Sequence, residues 1–514
     1  MDPPYVEGQT PPFWLISGVF SSDGVVDPDI SKLNRVPGAI EAGADRPSNT
    51  VINCISGFPA SDVSRTTHEF LTTDIPEDFS VFPPTGFEIQ IPPGARYIIL
   101  DTAAYGGQMF WGGWVNATFE LDSDGDSFPD SWETDGIDVD GDDEVDLDLP
   151  MMGADPLHKD LFVEVDYMGS VANCTRGHKP DDLALGDVKS AFANSPVTNP
   201  DGVKGVNLHV LVDEEVPHVD ALTVFSGFDS IKLGNFSTAD DRNDANKANI
   251  LEAKKRVYHY CLFIHKQAGG DWSGRGELTG NDFLVSLGAT GGAGSRDQQA
   301  ACFMHELGHN LGLHHGGAEN DDVNYKPNYL SIMNYLFLFD GAPVAGRPLD
   351  YSRRALPDLN ENGLNEMFGI GGLLGDETAF SLPLVNFYGV RIGLADGSQG
   401  IDWNGNGTVD GGGLVQANVN NFNVPGYDYA SPAGETLKGY NDWANLKFNF
   451  RSTTNYADGA HLNVPPEEMT PEIAEAMREA TKVSVIPEFP AWVMLPSLIT
   501  ITLLSTVLLK KRKR

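Results

Sequence analysis

Residues 305–315, His305-Glu306-Leu307-Gly308-His309-Asn310-Leu311-Gly312-Leu313-His314-His315, fill every fixed position of the pattern H-E-x-x-H-x-x-G-x-x-H, and nothing else in the chain restricts it so tightly. His305 and His309 are one helical turn apart, so their imidazoles leave one face of a helix and can take two adjacent corners of a zinc tetrahedron. Glu306 is offset by about 100° around that helix, where its carboxylate reaches a water on the metal rather than the metal itself. That is the place for a general base. Gly312 can enter the left-handed conformation that ends a helix, bringing His315 back to the same ion. His314 could compete as third ligand, but the spacing selects His315. Three protein ligands leave one position open, as a catalytic zinc requires. With this chain's own residue frequencies a chance match is on the order of a few in 10⁵.

The stretch resembles the zinc-binding helix of the metzincin metalloendopeptidases, whose second hallmark is a methionine-containing turn. Ser331-Ile332-Met333-Asn334-Tyr335 is similar to the S-I-M-x-Y turn of astacin-like and serralysin-like members, while HELGHNLGL is also similar to adamalysins. The resemblance implies one catalytic zinc, Met333 as an apolar floor beneath the ligands, and Tyr335 as an auxiliary ligand or oxyanion stabiliser. It also implies an α+β catalytic domain, a twisted sheet plus the zinc-binding helix, in which the strand before that helix lies along the cleft and pairs with extended substrate. Residues 283–288 would play that part. The pattern of apolar runs predicts strands at 161–165, 206–212 and 282–287, and helices at 246–266 and 295–311.

Between Glu120 and Asp148 stand fourteen acidic residues and no Lys or Arg. Asp122, Asp124, Asp126, Asp130 and Glu133 fall at positions 1, 3, 5, 9 and 12 of a calcium loop; Asp138, Asp140, Asp142 and Asp146 repeat the first four. Glycine stands at position 4 instead of position 6, so the segment is similar to the D-x-D-G-D repeats of thrombospondin type 3. Unneutralised carboxylates this dense would repel one another, so structural calcium is expected. Asp358, Asn360, Asn362 and Glu366, and again Asp402, Asn404, Asn406 and Asp410, carry the 1, 3, 5, 9 spacing with glycine at position 6.

The remaining chain suggests six regions. Residues 1–120, rich in turn residues with short runs at 87–91 and 97–100, read as a small β-rich domain. The acidic repeats occupy 121–150, the catalytic domain with its loop insertions 151–460, and a polar stalk 461–488. Residues 489–509 contain no charged side chain and would span a bilayer as a transmembrane helix. The basic tail 510–514 should then stay in the cytoplasm, leaving the main body outside. Pro487-Glu488-Phe489-Pro490 resembles the PEF-type C-terminal sorting tails of archaeal surface proteins. Met1-Asp2-Pro3-Pro4-Tyr5 has neither the basic region nor the apolar core of a signal peptide, so a truncated start is expected, the alternative being a tail-anchored protein facing the cytoplasm. The net charge of −39 argues against nucleic-acid binding, which needs a basic surface. Cys54, Cys174, Cys261 and Cys302 lack zinc-ligand spacing, and Cys302, one turn before His305, suits a buried thiol or a disulfide.

Together these features lead to the expectation of a cell-surface zinc endopeptidase acting on proteins or peptides, with Glu306 as base. The alternative is a non-proteolytic surface adhesion or binding protein in which zinc and calcium are structural; Glu306 argues against it, because a structural site has no use for a base.

Overall fold

In the computed structural model of the chain, the sheet that carries the candidate site is built from near-continuous apolar runs, the signature of strands buried on both faces. The structure describes residues 121–171, 177–288, 292–339, 348–373, 376–383, 390–396, 400–424, 427–453, 455–456, 468–470, 472–473 and 475–476, together with four short strands before residue 121. The chain divides into two units, Met1–Glu120 and Leu121–Arg514.

In the first unit, Gly18–Ser21 pairs antiparallel with Tyr97–Leu100, and Asn34–Arg35 with Ile55–Ser56. The expected run at 87–91 lies outside the described residues, as do Cys54, Cys174, residues 489–509 and the basic tail. Among the described residues, no helix is long and apolar enough to cross a membrane.

The second unit is mixed α/β. Its main sheet comprises β1 (Asp160–Met168), β2 (Asn207–Val216), β3 (Tyr258–Ile264), β4 (Gly274–Gly276) and β5 (Asp282–Ser286), in the order β2-β1-β3-β5-β4. All neighbours are parallel except β4, which runs antiparallel to β5 and forms the edge. Four helices matter to the site: α1 (Asp182–Ala193), α2 (Ser226–Asn235), α3 (Lys247–Lys255) and α4 (Arg296–Asn310).

Because side chains alternate across a strand, the apolar runs feed two cores. Leu161, Val163, Val165, Cys261, Phe263, Phe283 and Val285 pack with Val188 and Phe192 of α1 and Phe303 and Leu307 of α4. Phe162, Tyr260, Leu262 and Leu284 face the other way, against Phe228 of α2 and Ala253 of α3. Each such apolar side chain contributes about 1.5–3 kcal/mol on burial, so α4 is fixed along its length. The expected strands at 161–165, 206–212 and 282–287 and the helix at 295–311 all appear.

Two expectations need correction. The helix predicted over 246–266 stops at Lys255, and its second half is β3, buried at every residue. A fully buried strand shows no period-2 alternation, so sequence periodicity does not separate it from a helix. The strand expected along the cleft, 283–288, is interior, covered on its outer side by β4; three residues containing two glycines give no strand signal.

The acidic segment is no detached linker. Phe128, Ile137, Leu147 and Leu149 are buried in the second core with Phe162. Beyond the main sheet, residues 356–437 form a smaller core around the fully buried Trp403, with Leu356, Leu359, Phe380 and Ile401.

Candidate metal centre

Helix α4 begins with a capping box: the Ser295 hydroxyl accepts from Gln298 N at 3.2 Å, and Gln298 Oε1 accepts from Ser295 N at 2.9 Å. It ends in a Schellman arrangement, with Leu313 N donating to Gly308 O and Gly312 N to His309 O, both at 2.9 Å. Gly312 has φ +83°, the left-handed geometry that the motif requires of it. The chain therefore reverses at once and returns His315 to the helix.

His305, His309 and His315 converge, with ring centroids 4.8–5.4 Å apart. His305 Nδ1 is 2.9 Å from Ile332 O and His309 Nδ1 is 2.7 Å from Leu313 O. Each backbone carbonyl calls for a proton on Nδ1, which leaves the Nε2 lone pair free to ligate. The two Nε2 atoms are 3.2 Å apart, close to the edge of a tetrahedron with metal–nitrogen bonds of about 2.0–2.1 Å. Burial holds His309 down to about 4, so its ring is neutral, the form that binds a metal. His314 turns away, its Nδ1 3.0 Å from the Asp322 carboxylate.

The fourth member was not anticipated from the motif. Glu468, fully buried, lies 153 positions beyond His315 and places its carboxylate 3.1 Å from His305 Nε2, 3.5 Å from His309 Nε2 and 3.3 Å from His315 Nε2. Tyr335 donates to the same carboxylate at 2.7 Å. Burial alone would raise the Glu468 carboxyl, but the surrounding imidazoles, His315 foremost, hold it well below the usual range. Tyr335, expected as an auxiliary ligand or oxyanion stabiliser, thus stands beside the ligand cluster through Glu468. No spacing rule connects residue 468 to residue 305; the only trace is an isolated acidic pair, Glu467-Glu468, ahead of a short polar helix pattern.

Glu306 occupies the adjoining position. Both of its carboxylate oxygens are buried with no hydrogen-bond partner among the described residues. Burial, and then the charge of Glu468, push its carboxyl well above the ordinary value. Edge strand β4 presses directly on it: a Cβ at Gly274 would come 2.2 Å from Glu306 Oε1, and one at Gly276 would come 2.7 Å from Glu306 O. Only glycine allows this approach.

Beneath the helix, Met333 is fully buried and its Sδ would be 2.5 Å from a Cβ at Gly308. The turn that carries it is tied by Asn334 Nδ2, which donates to Lys326 O at 2.8 Å and Tyr329 O at 2.9 Å. The same turn supplies the Ile332 carbonyl that orients His305. Cys302 and Cys261 are buried free thiols.

The acidic positions fall into separate groups. Asp122, Asp124 and Asp126 bring ligand oxygens within 4.8 Å of one another, and so do Asp138, Asp140 and Asp142. Asp126 and Glu133 form a further buried group with Asp160, which lies outside the repeat and was not anticipated. Burial raises the carboxyls of Asp124 to about 7 and Glu133 to about 10. Asp130 instead accepts from Ser123 N and Oγ, each at 2.7 Å. Asp146 accepts from Val139 N at 2.6 Å and Asn246 Nδ2 at 2.5 Å.

The two later loops do not behave as independent repeats. Asn360 Oδ1 accepts from Asn362 N at 3.0 Å, and Asn362 Nδ2 turns to Gly434 O at 2.8 Å. Glu366 reaches the second loop, accepting from Asn404 N at 3.3 Å and Asp410 N at 2.7 Å. Asp402 accepts from Gly407 N at 2.7 Å, Asn404 from Asn406 N at 2.9 Å, and Asn406 donates to Asp410 at 3.0 Å. Asp358 is exposed, directly before the short strand Leu359–Asn360.

The donor set at α4 fits a zinc-class ion: three buried imidazoles, two of them with oriented tautomers, and one buried carboxylate. Neither the models of known protein families nor the curated protein sequences returned a match to this chain.

Proposed function

We propose that this chain is a zinc-dependent endopeptidase in a closed resting arrangement. The observation that carries the reading is the pairing of oriented His305 and His309 with a buried, unpartnered Glu306 directly beside them. A structural site gains nothing from leaving a carboxylate unpaired, at a cost of about 1–3 kcal/mol or more. His305, His309 and His315 would hold the ion, which supplies polarisation of a water and of a scissile carbonyl. Glu306 would take the proton of that water and deliver it to the leaving amine. Among the described residues β4 is the edge strand of the main sheet, and an extended peptide is commonly bound by adding to such an edge, which supports a polypeptide substrate.

Glu468 stands in the position that water or substrate needs. Ser273 N, next to β4, donates to Met469 O at 3.1 Å, so residues 468–469 lie along the same edge an extended peptide would use. On this reading the segment must leave before substrate enters. Glu468→Ala should keep zinc and raise peptide turnover, and Glu306→Gln in that background should abolish the gain.

Glu468 also favours a second reading, an adhesion or binding protein whose zinc is structural and closed by four protein ligands. In that case Glu468→Ala weakens zinc binding and lowers the melting temperature without any peptide cleavage. A fluorogenic peptide-library assay with zinc and calcium present, run beside a zinc titration, separates the two.

A further inference from the structure

We propose that His178, His218 and His265 form a second transition-metal site at the C-terminal ends of three adjacent parallel strands. The inference is independent of the function assigned to the first centre. His178 follows β1, His218 follows β2 and His265 follows β3, and these strands are neighbours in the order β2-β1-β3. Forty or more positions separate each histidine from the next, so no sequence motif joins them.

The three rings form a near-equilateral triangle. Centroids are 5.5 Å apart for His178 and His218, 5.1 Å for His178 and His265, and 5.0 Å for His218 and His265. One ring nitrogen from each lies within 4.8 Å of the others. Two imidazoles on a tetrahedral ion stand about 3.3 Å apart, given bonds of about 2.0–2.1 Å, so small side-chain rotations close the set. Among the described residues, the buried Nε2 of His218 and the buried Nδ1 of His265 have no hydrogen-bond partner. Two orphaned nitrogens in one cluster are costly unless a ligand satisfies them.

The surroundings hold the rings in place. His178 N donates to Met168 O at 3.0 Å, and Gly288 N donates to His265 O at 2.8 Å. A Cβ at Gly288 would be 2.4 Å from His265 Nδ1 and 2.1 Å from its carbonyl, so glycine there makes room for the imidazole. The exposed Asp220 carboxylate is 3.5 Å from His218 Nδ1, too far for a firm hydrogen bond. His178 is hydrogen-bonded to the Gly292 backbone, in the connection that leads into α4.

The chemistry of the donors selects the ion. Three imidazoles suit zinc, cobalt, nickel or copper and do not suit calcium or magnesium, which demand oxygen. Bound metal would fasten the ends of β1, β2 and β3 to the residues entering the helix of the first centre, which is a structural role.

The test uses the full chain, stripped of metal and titrated with zinc and, separately, cobalt(II), with bound metal measured by mass spectrometry. The wild type should bind two equivalents. His218→Asn/His265→Asn should bind one, retained at the first centre, and His305→Asn/His309→Asn should also bind one, retained here. Circular dichroism verifies folding, and if a double variant does not fold, His218→Asn alone must still lower the wild-type stoichiometry from two to one. The proposal is overturned if the wild type binds one equivalent that disappears in His305→Asn/His309→Asn. A single equivalent that disappears only in His218→Asn/His265→Asn would leave this site standing and remove the first.

Discussion

Glu133 offers the sharpest test of the acidic segment, because its neighbours make ionisation without a cation expensive. Asp126, Glu133 and Asp160 are all buried and place ligand oxygens within 4.8 Å of one another. Three ionised carboxylates at that spacing make three repulsive pairs. Each costs about 3–4 kcal/mol at an effective dielectric of about 20, and still about 1 kcal/mol at that of water. Even the lower sum, about 3 kcal/mol, is a large share of a typical net stability of about 5–15 kcal/mol. The ion-free protein must therefore keep protons there, in line with the raised carboxyls of Asp124, about 7, and Glu133, about 10.

The sign of the pH dependence follows. A carboxyl whose folded value lies above its unfolded value favours folding at low pH, and that contribution is lost as pH rises through the folded value. Chelated protein should thus lose stability progressively from about pH 4, the unfolded carboxyl range, up to about pH 10, most steeply below about pH 7, where both groups still hold their protons in the folded state. Calcium at about 100 times its Kd should restore about 2.7 kcal/mol per site, a rise in Tm of roughly 3–4 °C for a unit of this size. Glu133→Gln removes two of the three repulsive pairs. Its chelated melt at pH 9 should lie above that of the wild type, and its gain from calcium should shrink. The assay is a thermal melt at pH 6, 8 and 9 with a calcium-selective chelator or with calcium, zinc being held constant. Coincident wild-type melts with and without calcium at pH 8, or a full calcium gain in Glu133→Gln, would refute the reasoning.

Other outcomes follow from single residues. Glu306→Gln should retain zinc and fold while lowering peptide turnover by about 10²–10⁴; equal turnover would remove Glu306 from the chemistry. Met333→Ala should cost about 2–5 kcal/mol, the range for truncating a buried methionine, and denaturant unfolding measures it directly. Gly276→Val should lower both stability and activity, because its side chain would meet the backbone of Glu306; a variant indistinguishable from wild type in both assays would show that β4 does not press on the helix. For residues 489–509, the intact chain should partition with membranes and a chain ending near residue 481 should not; recovery of the intact chain in the soluble fraction would contradict the expected span.

What the sequence disclosed was local. Helix α4, its left-handed exit at Gly312 and the choice of His315 over His314 all follow from residues within one or two turns, where spacing fixes geometry. The parts it hid are those created by long-range pairing. Strand β3 carries no periodicity because both of its faces are buried, and β4 is too short and glycine-rich to announce itself. Asp160 joins the acidic group only because β1 begins where the first acidic loop folds back, with Asp160 N donating to Asp126 Oδ2 at 2.7 Å. Likewise, the 1, 3, 5, 9 spacing at 358–366 cannot show that Glu366 is turned to the loop at 402–410.

Glu468 and the three-histidine cluster share a property that explains why neither was legible. In both, the informative quantity is convergence of groups far apart in the chain, and a sequence pattern encodes convergence only when the chain between the groups is regular. The eleven residues of 305–315 are such a case: one helix and one glycine turn carry the ligands together. Between His315 and Glu468 the chain crosses the methionine turn and the Trp403 core before Met469 packs into the main core, so no regular element carries residue 468 to the histidines. A disturbance of that intervening core should therefore act on Glu468 before it acts on His305 or His309, whose places are set within α4. Trp403→Ala, which empties the smaller core at a cost of about 3–5 kcal/mol, should leave zinc affinity at the three histidines largely intact and loosen the Glu468 contact. On the endopeptidase reading it should then raise peptide turnover at temperatures where the main sheet remains folded. Loss of zinc in parallel with loss of the smaller core would show instead that the two regions fold as one unit and that Glu468 is not separately released.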